Sequence, residues 1–169
     1  ALQKVHQNLD TMDIGGGFGV PYEKKKFYTA KGVSSKIVKV LKNLADKAKI
    51  KHPNLAVEWG QYIVAPSQIT IYKVISKKNI EKANARAWYI VDGSFMNDLK
   101  DTWAIHQKWH AIPVNNMTNS VKSVWLAGST CDSDDKYTAG GEYILMPDFK
   151  DGDQYVAILD TGAYQDALS

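Results

Sequence analysis

The sequence predicts an α/β segment followed by a mostly antiparallel β domain, with the change near residue 67. Three observations carry this. Residues 11–58 run strand, glycine cluster, helix, strand. Residues 68–159 hold apolar, alternating runs separated by turn-rich segments. No helical pattern of normal length occurs after Pro66.

The elements follow in order. Thr11-Met12-Asp13-Ile14 is a short, mostly apolar strand that runs directly into Gly15-Gly16-Gly17-Phe18-Gly19. A loop with Pro21 and the run Lys24-Lys25-Lys26 comes next. Ile37, Val40, Leu41, Leu44, Ala45 and Ala48 then recur at helical spacing. Ser34 or Ser35 is the expected N-cap, since a hydroxyl there accepts an otherwise unpaired first-turn N–H. Lys47, Lys49 and Lys51 suit the negative end of the helix dipole, and Pro53 is expected to stop the helix. Leu55-Ala56-Val57-Glu58 reads as a buried strand ending in an acid, and this order of elements predicts parallel pairing. Beyond Pro66, strands are expected over Gln68–Lys78, Ala87–Val91, Val121–Leu126 and Tyr155–Leu159. Asp92-Gly93-Ser94, Asn115-Asn116, Gly140-Gly141 and Asp151-Gly152-Asp153 supply the turns between them.

Composition narrows the function classes. The chain has 169 residues, 44% apolar and 23% charged, the profile of an ordinary globular protein. The single Cys131 excludes an internal disulfide framework. No uncharged run approaches the ~20 apolar residues that cross a bilayer. The opening residues Ala1 to Asn8 are too polar for a signal peptide, so a reducing cytoplasm is the expected compartment. The net charge is only +3, and Arg86 is the sole arginine. Nucleic-acid binders concentrate basic residues on one face and favour arginine, so neither a nucleic-acid nor a membrane partner is expected.

Chemistry-bearing residues fall in three places. Four of the 12 glycines lie between Gly15 and Gly19. Their backbone can reach positive φ and present successive N–H groups to an anion, although the order is neither G-x-G-x-x-G nor a P-loop. Glu58 stands at the C-terminal end of a parallel strand, where α/β folds place ligands. Thr130-Cys131-Asp132-Ser133-Asp134-Asp135 sets a thiol among acids that repel one another unless solvated, metal-bound or facing a cation. Neighbouring carboxylates favour a neutral thiol, a proton donor rather than a nucleophile. His106 and His110 form an i, i+4 pair without the H-E-x-x-H pattern of a zinc site.

In this order the pieces resemble the fold type III pyridoxal-phosphate decarboxylases, and most closely the biosynthetic arginine decarboxylases. The anchors are Asp13 to Gly19, Glu58-Trp59-Gly60-Gln61, Ser94-Phe95-Met96 with Asp101 to Gln107, Thr130 to Asp134, and Gly162-Ala163-Tyr164-Gln165. The resemblance implies a (β/α)8 barrel, part of which is residues 1–67, followed by a β-sandwich or β-barrel domain at 68–169. It further implies a homo-oligomer with active sites shared between subunits. In that frame Gly15, Gly16 and Gly17 hold the phosphate of pyridoxal 5'-phosphate, Tyr164 reaches the same phosphate, and Glu58 pairs with the pyridine nitrogen. Cys131 from the partner reprotonates Cα, while Asp132 and Asp134 receive the distal cation of a basic amino acid, with Asp135 a weaker candidate. C-D-S-D is similar to arginine enzymes, whereas ornithine enzymes typically carry C-D-G and diaminopimelate enzymes C-E-S. The implied reaction is L-arginine to agmatine and CO2 in polyamine synthesis. The same fold also serves lysine, ornithine, diaminopimelate and carboxynorspermidine, and a non-catalytic regulatory relative is the alternative from another class. Mg2+ is used by the biosynthetic arginine enzymes, but no ligand set for it stands out. Gln61 occupies the usual arginine position of E-x-G-R, and there is no room for a helical insertion between Lys78 and Ala85. A full barrel takes ~250 residues, and the family's cofactor lysine lies upstream of its glycine loop. The chain is therefore expected to be an incomplete C-terminal part, inactive alone, its barrel completed in cis or by a separate chain.

Overall fold

A computed structural model describes residues 9–22, 28–81, 83–137, 143–150 and 152–166. The Lys24-Lys25-Lys26 run and the Gly140-Gly141 turn lie outside the described residues. The chain divides into two compact units, residues 1–60 and 61–169.

In the first unit β1 (Thr11–Asp13) pairs in parallel with β2 (Asn54–Ala56), Met12 lying opposite Leu55. Helix α1 (Ala30–Ala48) connects them. Its N-cap is Thr29, not Ser34 or Ser35: the Thr29 hydroxyl accepts Gly32 N–H at 3.1 Å, and Ser34 Oγ donates back to Ala30 O at 2.8 Å. The helix ends through left-handed Lys49, whose N–H returns to the last turn, so termination precedes Pro53 and Lys51 lies outside the helix. Glu58 stands two residues beyond β2 rather than at its last position. The described residues of this unit form a two-stranded sheet and no closed barrel.

The second unit opens with α2 (Gly60–Val64) and a 3-10 turn (Ala65–Ser67). The 3-10 turn belongs with the β domain, because Gly162 N–H bonds Ala65 O at 2.9 Å and Thr161 N–H bonds Gln68 O at 3.0 Å. The unit therefore starts earlier than residue 68, where the alternating pattern begins. Its strands are β3 (Thr70–Asn79), β4 (Ala87–Val91), β5 (Ala111–Pro113), β6 (Val121–Ala127), β7 (Lys136–Tyr137), β8 (Ile144–Pro147) and β9 (Gln154–Ile158). They make one sheet in the order β5-β9-β3-β4-β6-β7, with β8 also pairing β6. All pairings are antiparallel except β4 with β6, which run parallel across the long connection holding α3 (Asp101–Ala104) and β5.

Where a sandwich or barrel was expected there is a single curled sheet, in which β8 comes near β5 at the opposite edge. Right-handed twist accumulates across its strands, and a bulge between Val74 and Ser76 in β3 adds local bending. Alternation selects the buried face: Tyr72 and Val74, Tyr89 and Val91, Val124 and Leu126, and Val156 and Ile158 point inward with Phe95, Leu99 and Met146. The buried Tyr89 hydroxyl donates to Pro147 O at 2.9 Å, and burial, aided by the Asp148 carboxylate, pushes this phenol up to about 12. Among the described residues no helix is long and apolar enough to cross a membrane.

Candidate active site

In the first unit the parallel ladder does not stop with the strands. Ile14 N–H bonds Ala56 O at 3.1 Å, and Glu58 N–H bonds Gly15 O at 3.0 Å. These bonds carry the glycine loop and Glu58 out of the sheet together. Gly15 and Gly17 have φ of +73° and +81°, a region that L side chains rarely occupy. A Cβ on Gly16 would stand 3.0 Å from Glu58 O, so the loop lies directly against the acid's backbone. Asp13 Oδ1 accepts Gly15 N–H at 2.8 Å, whereas the N–H groups of Gly16 and Gly17 have no partner among the described residues. The Glu58 side chain is exposed, and Trp59 stacks on Phe18 with ring centroids 4.4 Å apart. Two unengaged N–H groups beside an exposed carboxylate suit a phosphate and a ring nitrogen, so these residues fit the cofactor that the resemblance implies.

In the second unit residues 128–136 fold around Asp135, which is 3% exposed. Its Oδ1 accepts Phe95 N–H at 2.7 Å, and Oδ2 accepts Thr130 Oγ1 at 2.6 Å and Thr130 N–H at 3.2 Å. A Cβ on Gly128 would overlap this carboxylate, so only glycine lets the chain pass. Asp132 Oδ1 accepts Asp134 N–H at 2.8 Å and tightens the turn, and Lys136 Nζ lies 3.4 Å from Asp134 Oδ1. Cys131, Asp132 and Asp134 are all exposed on this turn. The acids do not converge on one point. Asp135 turns into the core while Asp132 and Asp134 face solvent, and among the described residues no group of three or more metal-ligating side chains gathers.

Tyr164 lies on the C-terminal segment, 54% exposed, with φ +69°. Its neighbour Gln165 is buried and holds Asp101 by two bonds: Asp101 N–H to Oε1 at 3.2 Å, and Nε2 to Asp101 Oδ2 at 2.7 Å. Segment 93–104 is thus held at one end by Asp135 through Phe95 N–H and near the other by Gln165 through Asp101.

The resemblance assigns Gly15, Gly16, Gly17 and Glu58 to one cofactor, and in the structure the loop lies against the backbone of Glu58. Cys131, Asp132 and Asp134 likewise share a turn. What the pattern missed is the tether: Asp135 ranked below Asp134, and Asp101 and Gln165 carried no role. The available signal was the pair of anchors themselves, Asp101 to Gln107 and Gly162 to Gln165, which the fold joins directly.

Residues 27–162 match the family described as pyridoxal-dependent decarboxylase, C-terminal sheet domain. The diaminopimelate decarboxylase of Staphylococcus aureus is 31% identical over 163 residues, covering 95% of this chain and 37% of that protein. That of Methanocaldococcus jannaschii is 31% identical over 157 residues, 92% of this chain and 33% of its own length. The chain therefore spans little more than a third of these relatives. Among solved structures, the biosynthetic arginine decarboxylase of Campylobacter jejuni superposes with a TM-score of 0.89 over 99% of this chain and 43% of its own, and at 18% identity that likeness concerns the fold. The diaminopimelate decarboxylase of M. jannaschii in complex with L-lysine gives 0.80 at 29% identity, covering 99% of this chain and 36% of that one. The family match takes in both the α1 region and the whole curled sheet. The chain belongs to the pyridoxal-dependent decarboxylases and carries their C-terminal sheet domain.

Proposed function

We propose that this chain is the C-terminal part of a pyridoxal-phosphate-dependent decarboxylase that converts L-arginine to agmatine and CO2. The first unit, with its parallel β1-α1-β2 arrangement, is then the closing edge of a (β/α)8 barrel completed by residues outside this chain. When bound, pyridoxal phosphate supplies the electron sink for the pair left as CO2 departs. The Gly16 and Gly17 N–H groups hold the phosphate, and the Tyr164 hydroxyl adds a further donor. Glu58 keeps a proton on the pyridine nitrogen, which strengthens the sink. The Cys131 thiol, reaching the site of a second copy, delivers a proton to Cα. Asp132 and Asp134 meet the distal cation of the substrate.

The observation that carries a substrate with a distal cation is the pair of exposed carboxylates, Asp132 and Asp134, beside Cys131. The choice of arginine among such substrates rests on the C-D-S-D pattern. Two acids attract a distal guanidinium or ammonium and repel a distal carboxylate. Diaminopimelate carries such a carboxylate; arginine, lysine and ornithine do not. The second reading is diaminopimelate itself, favoured by the names of the relatives that are 31% identical. A CO2-release assay on the complete gene product, offered arginine, lysine, ornithine and meso-diaminopimelate in turn, decides. Arginine is expected to give the highest kcat/KM. Preference for any of the other three rejects the arginine assignment, and release from none of the four, nor from carboxynorspermidine, rejects the decarboxylase reading.

A further inference from the structure

We propose that Gln165 and Asp101 form a positioning pair for Tyr164, setting the direction of its hydroxyl; this rests on the reading above that Tyr164 serves the cofactor phosphate. Gln165 N–H bonds Ala163 O at 3.0 Å, so residues 163–165 close a γ-turn with Tyr164 at its centre and φ +69°. The positive-φ form of this turn is rare and strained, and a tyrosine has no local reason to adopt it. Tyr164 is 54% exposed, so a residue open to solvent over about half its surface is held in this turn. The strained backbone of Tyr164 is held by contacts on either side of it.

Those contacts flank the turn on both sides. Before it, Gly162 N–H bonds Ala65 O at 2.9 Å, and a Cβ there would lie 2.6 Å from Ser67 Oγ. After it, the Gln165 side chain is 2% exposed and uses both ends of its amide on Asp101, with a further 3.4 Å contact from Nε2 to Ala163 O. The amide accepts where Asp101 donates its N–H and donates where Asp101 offers a carboxylate oxygen. Few side chains satisfy both demands at once. A pre-set backbone turn leaves fewer conformations to lose when a phosphate arrives, which is how a positioning pair improves affinity without touching the ligand.

The test uses the complete gene product and pyridoxal phosphate affinity, measured by equilibrium dialysis. Gln165→Glu sets two carboxylates against each other. Adding Asp101→Asn exchanges acid and amide and restores both bonds. Gln165→Glu is expected to weaken cofactor binding about tenfold, and the exchanged pair to recover most of the loss. In a Tyr164→Phe background, itself weakened, Gln165→Glu is expected to add no further loss, because the hydroxyl it positions is gone; a merely structural role would add its full effect there. Gln165→Met, which keeps length and drops the polar atoms, carries the same comparison if Gln165→Glu does not fold. Unchanged affinity in a folded Gln165 variant, or a full additional loss in the Tyr164→Phe background, overturns the pair while leaving the cofactor reading intact. Absence of binding by the wild type, or full affinity in Tyr164→Phe, overturns both.

Discussion

The Asp135 carboxylate accepts the Phe95 N–H at 2.7 Å and so ties together two segments 40 residues apart. A buried carboxylate is tolerated only when its oxygens are well supplied with donors, and Thr130 supplies the others through its N–H and hydroxyl. The exposed turn bearing Cys131 therefore hangs from a buried side chain.

Asp135→Asn is nearly isosteric but replaces one acceptor oxygen with a donor. That NH2 must face either Phe95 N–H or Thr130 N–H, donor against donor. The substitution is expected to destabilise the protein by about 2 kcal/mol and to speed labelling of Cys131 by a thiol reagent. Thermal melting and labelling kinetics of the complete gene product check this. An unchanged melting temperature with unchanged labelling would dismiss the tether.

A second acid makes stability depend on pH. Asp148 Oδ2 lies 2.9 Å from Lys122 Nζ and Oδ1 lies 3.0 Å from Lys77 Nζ, linking β3, β6 and the end of β8. These lysines, Lys122 foremost, hold the Asp148 carboxyl below its ordinary value of 3.8. A depressed carboxyl pKa means the stabilisation is complete above the unfolded value and is lost as pH falls through the folded one. Relative to wild type, Asp148→Asn is expected to cost about 1 kcal/mol near neutral pH. The difference should close as pH falls below the ordinary value of 3.8 and through the lower folded one. Urea denaturation of both proteins across that range is the measurement, and a pH-independent gap would contradict it.

How much the sequence disclosed follows from how local each signal is. Ala87-Trp88-Tyr89-Ile90-Val91 alternates cleanly and folds as β4 over those same residues. β7 has two residues and β8 ends in Pro147, too short and too irregular for periodicity to reveal. Parallel pairing of β4 with β6 was hidden because it depends on where the 92–120 connection returns, a tertiary matter. The glycine loop is marked by its composition and Glu58 by its place after a strand, and the parallel pairing of the two strands sets them side by side. Among three acids in one turn, nothing local says which will point inward. That choice falls to Asp135 because Gly128 leaves space beside it and Phe95 presents an N–H from a distant segment.

Gly162→Ala tests the opposite flank of the Tyr164 turn. The added methyl would run into Val64 O and approach Ser67 Oγ, backbone and short side chain with little room to yield. A loss of about 2 kcal/mol is expected, accompanied by weaker cofactor binding. Differential scanning calorimetry of the complete gene product measures the first; an unaltered transition would mean that the 65–67 turn can shift at little cost.

Glu58 and Gly17 separate chemistry from binding. Gly17 has φ +81° and open space where a Cβ would stand, so Gly17→Ala meets no clash and penalises only the backbone conformation, by about 1 kcal/mol. It is expected to weaken pyridoxal phosphate binding several-fold while kcat at saturating cofactor stays close to wild type. Glu58→Gln leaves the loop and the Gly15 O bond to the residue 58 N–H untouched, since that bond uses backbone alone. In the proposed reading it removes the acid that pairs with the pyridine nitrogen. Cofactor affinity should therefore change little, while kcat for decarboxylation falls about a hundredfold or more. Titrating cofactor against initial rates of CO2 release for the two variants resolves the effects. A Glu58→Gln enzyme of normal kcat would remove the acid from the chemistry and leave the glycine loop as the only cofactor contact argued for the first unit.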